Sequence, residues 1–322
     1  MSEAAILDRS AWLFAADGPL SEAAVARLCA DPRFPEAIRT LTSGMLALYR
    51  GNRFLNALIN DRGRMVIGYL ALYLHEGAAP DGRGSGFGVG QLKALCAAAG
   101  MASPGRTGAM VAMMRMAGYI ASASAPDDRR RHVLVPTEKL RLAHRDRWKC
   151  VAETVRVVNP AAADAFVLGD VEFEAAYIRR TAGYFLDGFR IIDVAPELQL
   201  FLDRNAGVMI LFSMMLAGEA ADTIPPARPI ALSISAIAGR FGVSRVHVRT
   251  LLRDAETAGL IERTGEDSNR IMIRPELANA ARIFFASMIL FVAHCAVEAR
   301  EEVQRASPLE RERQHSQTKM LY

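Results

Sequence analysis

The sequence has little of what usually announces chemistry. Its four cysteines, Cys29, Cys96, Cys150 and Cys295, are scattered, with no CxxC pair and no Cys/His cluster. That spacing argues against a disulfide framework or a zinc site and suits a reducing compartment, so a cytoplasmic, metal-free chain is expected. No GxSxG, Walker loop, HExxH or paired-carboxylate constellation occurs, so no catalytic residue, cofactor or reaction is nominated. The histidines do not gather into a site: His75, His144, His247 and His294 each stand alone and are expected to be structural. No signal peptide is expected, because Asp8 and Arg9 break the first apolar run. Long hydrophobic runs are also missing. The longest, Ile283–Val297, falls short of the about 20 residues that cross a bilayer and carries His294, so it reads as a buried interface helix with no membrane role.

Charge of one sign is scarce too. A formal +4 over 322 residues permits nucleic acid without pointing to it. With 51% hydrophobic and 23% charged residues the chain can build a sizeable core and is not disordered. Its length suits about two domains.

What is present is a punctuated stretch, Ala231–Pro275. Ile234, Ile237 and Ala238 are spaced for the buried face of a first helix. Gly242 allows a tight turn, and Ser244 stands where an N-cap belongs. Val243 and Val248 form a hydrophobic staple across that cap. Val248, Leu251, Leu252 and Ala255 recur at helical spacing and face a core, which turns Val246, Arg249, Thr250 and Arg253 outward, with Arg245 in the first turn. Gly259 ends the helix. Leu260–Thr264 and Arg270–Arg274 then read as strands about a polar loop. Helix, turn, helix and hairpin in this order make a winged helix, which lays its second helix in the DNA major groove and its wing beside a neighbouring groove or phosphate.

The same pattern occurs earlier. Ser103–Ile120 falls on Ser244–Ile261 without a gap, so that Met110, Val111, Met114, Ala117, Gly118 and Ile120 coincide with Leu251, Leu252, Ala255, Ala258, Gly259 and Ile261. Asp61-Arg62 and Asp203-Arg204 each lead into an apolar helix, and Pro136 and Pro275 close the second wing strands. Two copies of one fold in tandem follow: 1–158 and 159–306, with Asn159-Pro160 as linker and a charged tail over 307–322. The fold class expected is mainly α with small β-wings (α+β), two winged helix-turn-helix units flanked by long interface helices. Helices are predicted over Glu36–Arg50, Met65–His75, Gln91–Ala99, Thr137–Val157, Glu174–Arg190, Pro196–Leu216 and Glu276–Ala306.

Around Ala125-Pro-Asp-Asp-Arg-Arg-Arg-His-Val-Leu-Val-Pro-Thr-Glu-Lys-Leu the chain resembles the MarR family of bacterial transcriptional regulators, whose wing carries an Asp-x-Arg tip, an apolar strand and a Thr-Glu-Lys-like helix start. Asp128-Arg129-Arg130 matches that tip. The second copy departs from it, with Glu266-Asp267-Ser268-Asn269-Arg270, so Arg270 alone matches a wing arginine there. The resemblance covers about half of each copy, the winged helix itself. It implies sequence-specific double-stranded DNA binding and transcription regulation. It also implies pairing of two copies through terminal helices, either as a single-chain pseudo-dimer or as a homodimer of whole chains, and room for a small-molecule effector.

On this reading the helix contacts to DNA are Ser244, Arg245, Arg249, Thr250 and Arg253, and the wing contacts are Arg129, Arg130, Arg131 and Arg270. Arg106 flanks the first copy's helix. That helix is otherwise bare: Gly105, Gly108, Ala109 and Ala112 hold the outward positions. Two readings of it stay open, a close approach to a DNA backbone or a smooth face that packs on protein. Two alternatives to a regulator also stand, a plasmid or phage replication initiator built from two winged helices and a protein-interaction adaptor that has lost DNA binding. The division between base and phosphate contacts is testable by salt-dependent binding to varied duplexes. Arg249→Ala should relax base preference, whereas Arg130→Ala should weaken binding evenly and flatten the salt slope by about one. Identical behaviour of the two variants would sink it.

Overall fold

The computed structural model describes residues 11–48, 62–77, 86–124, 132–218, 223–265 and 270–319. Across them the chain is mainly helical with two small antiparallel sheets. Helix α1 (Glu22–Ala30) starts at Ser21, whose Oγ accepts from the Ala24 N–H. Then come α2 (Phe34–Leu48) and α3 (Arg62–Leu72), which runs on into a π-turn at Tyr73–Gly77. Helices α4 (Val89–Ala98) and α5 (Pro104–Met116) lead to the hairpin β1 (Ile120–Ser124) and β2 (His132–Pro136), and α6 (Glu138–Val158) follows. The second half begins with α7 (Pro160–Ala163) and α8 (Val171–Leu186). Two 3-10 turns, α9 (Gln199–Leu202) and α10 (Gly207–Met215) come next. After β3 (Ile230–Ala231) stand α11 (Ile234–Phe241) and α12 (Arg245–Thr257), β4 (Ile261–Thr264), β5 (Arg270–Ile273) and the long α13 (Pro275–Lys319).

One order, helix, helix, helix, hairpin, long helix, therefore occurs twice. The sheets match as well. β3 pairs with β5 to make the order β3-β5-β4, while in the first half Phe87 bridges Leu134 through bonds of 2.9 and 2.8 Å. These short third members carry too few residues to show the period-two alternation from which a strand is read.

Two predicted segments take another form. Pro196–Leu216 is not one helix: it breaks between α9 and α10, where Ala206 has φ 57° and an ideal Cβ on Gly207 would lie 2.0 Å from the Phe201 carbonyl oxygen. Only glycine lets the backbone fold back this closely, and apolar content does not reveal such a contact. Asn159-Pro160 is a helix start, with Asn159 Oδ1 accepting from the Ala162 N–H at 3.1 Å.

The hydrophobic interior divides into two cores, and each draws on both halves of the chain. One gathers Ile67 and Leu70 of α3, Met110 and Met114 of α5, Phe173 and Tyr177 of α8, and Cys295, Ala296 and Ala299 of α13. The other gathers Phe34, Ile38 and Leu41 of α2, Ile210 of α10, Val248, Leu251 and Leu252 of α12, and Leu277 and Phe285 of α13. The helices α2 and α8 are thus exchanged. Each precedes one helix–hairpin unit in sequence and packs in the core of the other. Both long helices, α6 and α13, pass through both cores: α6 gives Leu140 and Trp148 to the first and Val151 and Val155 to the second. By length and composition Pro275–Ala306 is apolar enough to cross a membrane, but 50% of its most apolar window is buried inside the fold.

Because the cores share two helices, damage to one should be felt in the other. Phe285→Ala, which empties a fully buried site, should cost about 3–5 kcal/mol. It should lower the midpoint of Trp148 fluorescence together with that of far-UV circular dichroism, although Trp148 belongs to the opposite core. A Trp148 transition that stays in place would show cores that unfold independently.

Candidate nucleic-acid interface

Helix α12 is fixed at its start by Ser244, whose Oγ accepts from the His247 N–H at 3.0 Å. Val248, Leu251, Leu252 and Ala255 are buried along one side. Helical geometry then leaves Arg245, Val246, Arg249 and Arg253 exposed and Thr250 half-buried. Val246 is 67% exposed, an apolar side chain held in water among arginines. The helix is tied to its neighbours from the opposite side. His247 Nε2 donates to the Asn205 carbonyl at 2.8 Å, and Arg204 reaches Asp254 at 2.7 Å.

In front of α12 lies an open cleft of about 740 Å³, walled by the start of α11 and by the sheet. Arg245, Arg249, Thr250 and Arg253 line it together with Ser235 and Arg263, and no carboxylate is among its lining residues within the described part of the chain. Four guanidinium groups thus converge on one concave surface. Arg263 is positioned by Glu256, with Nε bonded to Oε2 at 2.7 Å. Those hydrogen bonds hold the Glu256 carboxyl below the usual carboxylate range. Arg263, gripped by Glu256, is the most neutralised of the four, and Arg253 has Asp254 no nearer than 3.7 Å.

Of the second-half residues expected to contact DNA, four line this cleft: Arg245, Arg249, Thr250 and Arg253. Ser244 is the helix cap beside it. Arg270 opens β5, exposed and paired in register with Thr264 and Ala231, and is not a lining residue. Arg129, Arg130 and Arg131 lie outside the described residues. Arg263 was missed. Its signal is the strand period: it stands two residues after buried Ile261 and so shares the face turned to α12.

The corresponding surface in the first half differs in chemistry. Ser103 Oγ accepts from the Arg106 N–H at 3.3 Å, and Pro104 occupies the first helical position of α5. Thr107, Met110, Val111 and Met114 are buried, which leaves Gly105, Arg106, Ala109 and Ala112 exposed and Gly108 half-buried. Three of the basic residues beyond are engaged by other parts of the fold. Lys139 Nζ donates to the Ala117 carbonyl at 2.8 Å, Arg141 pairs with Glu76, and Arg145 grips Glu174 through bonds of 2.7 and 2.8 Å.

Where the two cores meet lies a second cavity of about 310 Å³, lined by Tyr69, His144, Trp148, Tyr177, Phe185 and Phe291 among others. Tyr69 and Thr181 share a hydrogen bond across one wall. His144 is packed between Tyr69 and Trp148, with ring centroids at 5.4 and 6.2 Å. Burial, reinforced by the charge of Arg147, holds its imidazole down at about 3. His75 is held at about 4 by burial and by Arg141, and its Nδ1 accepts from the Gly86 N–H.

Both imidazoles are therefore neutral in the fold over a range where an unfolded chain would protonate them. Between pH of about 6.5 and 4 the unfolded state binds more protons, so stability is complete above about 6.5 and declines on acidification. Thermal melts across that window should show this decline, and His144→Gln should melt with a weaker pH dependence. An unchanged slope would remove His144 from this account.

No protein-family model matches the sequence, and neither a curated protein nor a solved structure matches the chain.

Proposed function

We propose that this chain is a double-stranded DNA-binding transcription regulator, in which two winged helix-turn-helix units are joined as a single-chain pseudo-dimer. The observation that carries the reading is the cleft in front of α12, where Arg245, Arg249, Arg253 and Arg263 converge with Thr250 beside a hairpin. A helix with its side chains is about 10–12 Å across, which suits a major groove about 12 Å wide. Arginine forks onto guanine O6 and N7 in that groove, and each such pair discriminates by about 1–3 kcal/mol. Exposed Val246 offers an apolar contact to a thymine methyl beside them. The hairpin lies next to the helix, where a neighbouring phosphate would run.

The exchanged helices support the pseudo-dimer. With α2 and α8 crossed between cores and α6 and α13 shared, one chain holds both units at a fixed separation, the role that an interface between subunits plays in a dimer. The aromatic cavity at the junction of the cores is the place in which a small effector would alter that separation. A protein-interaction role is favoured by one observation only, the smooth face of α5 ending in Met116, which is 89% exposed.

Selection from random duplex DNA on the purified protein, repeated at about 50 and 200 mM salt, tests the proposal. The expected result is an enriched site of two unequal halves, retained less at the higher salt. A palindrome of equal halves would instead indicate two whole chains about a two-fold axis. Absence of both enrichment and salt-dependent retention would overturn DNA binding in favour of the adaptor.

A further inference from the structure

The two units align residue by residue, which makes their differences informative. Ser103 and Ser244 cap α5 and α12. Thr107 and Val248 are both fully buried, and Gly118 and Gly259 close the helices with φ of 75° and 72°. In this gapless frame Gly108 takes the place of Arg249. The preceding helices align as well. With the frame shifted by four residues, Leu92 and Cys96 of α4 are buried as Ile237 and Phe241 of α11 are, which sets half-buried Lys93 in the place of buried Ala238.

These two differences are one exchange. An ideal Cβ on Gly108 would lie 2.9 Å from Cε and 3.1 Å from Nζ of Lys93. The ammonium group of α4 therefore rests at the root of the side chain that α5 lacks. In the second unit the partners are reversed: the small residue, Ala238, is on the first helix and the cation, Arg249, on the second. A cation is kept where the two helices of each unit meet, exposed as Arg249 but half-buried as Lys93, so its kind and reach are changed. Lysine presents a compact point charge without the planar fork that reads guanine, and here it is drawn back along the helix surface. Gly105, Ala109 and Ala112 add no side chain long enough to reach a base edge.

We propose that Lys93 is the phosphate-contacting cation of the first unit, standing in for Arg249 of the second, so that the chain recognises a duplex in which only one half-site is specified by sequence. This rests on the DNA-binding reading above. The first half-site then contributes affinity that falls with salt, because each neutralised phosphate releases counterions, while base preference comes from α12.

The test is fluorescence anisotropy of the full chain on a selected duplex and on versions scrambled in either half, titrated with salt. Lys93→Ala, and Lys93→Gln with most of its stem retained, should weaken binding by the same factor on all duplexes and reduce the salt slope by about 0.9. Arg249→Ala should instead erase the difference between the selected duplex and the one scrambled in its specified half. The double variant Lys93→Ala/Gly108→Arg rebuilds the arrangement of the second unit, and should restore the slope and create sequence preference in the neutral half. If Lys93 variants bind as the parent does while Arg249→Ala still loses preference, the role of Lys93 is overturned and DNA binding stands. If the unmodified chain binds none of the duplexes, both fall together.

Discussion

The fold depends on two helices that each complete two cores. Neither α6 nor α13 belongs to one half of the molecule. Leu140 and Trp148 are buried with α3 and α8, and one turn later Val151 and Val155 are buried with α2 and α10. A protein interior is as tightly packed as an organic crystal, so a shift of either helix in one core must be accommodated in the other. The outward surfaces of α5 and α12 are therefore set against each other by packing rather than by a linker. Ion pairs reinforce the same joints. Arg145 on α6 grips Glu174 on α8, and Arg179 and Arg180 on α8 meet Glu302 on α13 at 2.7 and 2.6 Å. Such partly buried pairs add little net stability, but breaking one leaves a charge stranded, so they fix which helix lies where.

This division of labour explains why a formal charge of +4 says so little. Many arginines are consumed within the fold: Arg141, Arg145, Arg180 and Arg204 all face carboxylates. What remains is local. The cleft of α12 collects four arginines, two of them with a carboxylate nearby, whereas α5 shows glycine and alanine at the positions aligned with Arg249, Thr250 and Arg253. The field a ligand meets is set by these surfaces and not by the sum over the chain.

Local features were legible in the sequence. The caps at Ser103 and Ser244, the buried stripe Val248, Leu251, Leu252 and Ala255, and the stop at Gly259 each need only neighbouring residues to be recognised, and each is found where the spacing puts it. The correspondence of Ser103–Ile120 with Ser244–Ile261 holds in burial even where the residue types differ. Features that depend on distant contacts were not legible. The break at Ala206 and Gly207 goes with the close carbonyl of Phe201, and both β3 and the Phe87 bridge are set by a partner far along the chain. The exchange of α2 and α8 leaves no trace in periodicity, because an amphipathic helix shows which face is buried and not against what. Lys93 went unnoticed for a similar reason: its meaning comes from a missing side chain on another helix.

The crossing of α2 and α8 also bears on how the molecule is made. The core around α3 and α5 is closed by residues made after its own unit, among them Phe173 and Tyr177 and, later still, Cys295, Ala296 and Ala299. During synthesis the first unit leaves the ribosome with that face uncovered and stays so until α13 has emerged. Exposed apolar surface of this kind is what chaperones bind and what aggregates if release is slow. A single chain gains over two separate subunits here, since the covering helices arrive tethered to the surface that awaits them.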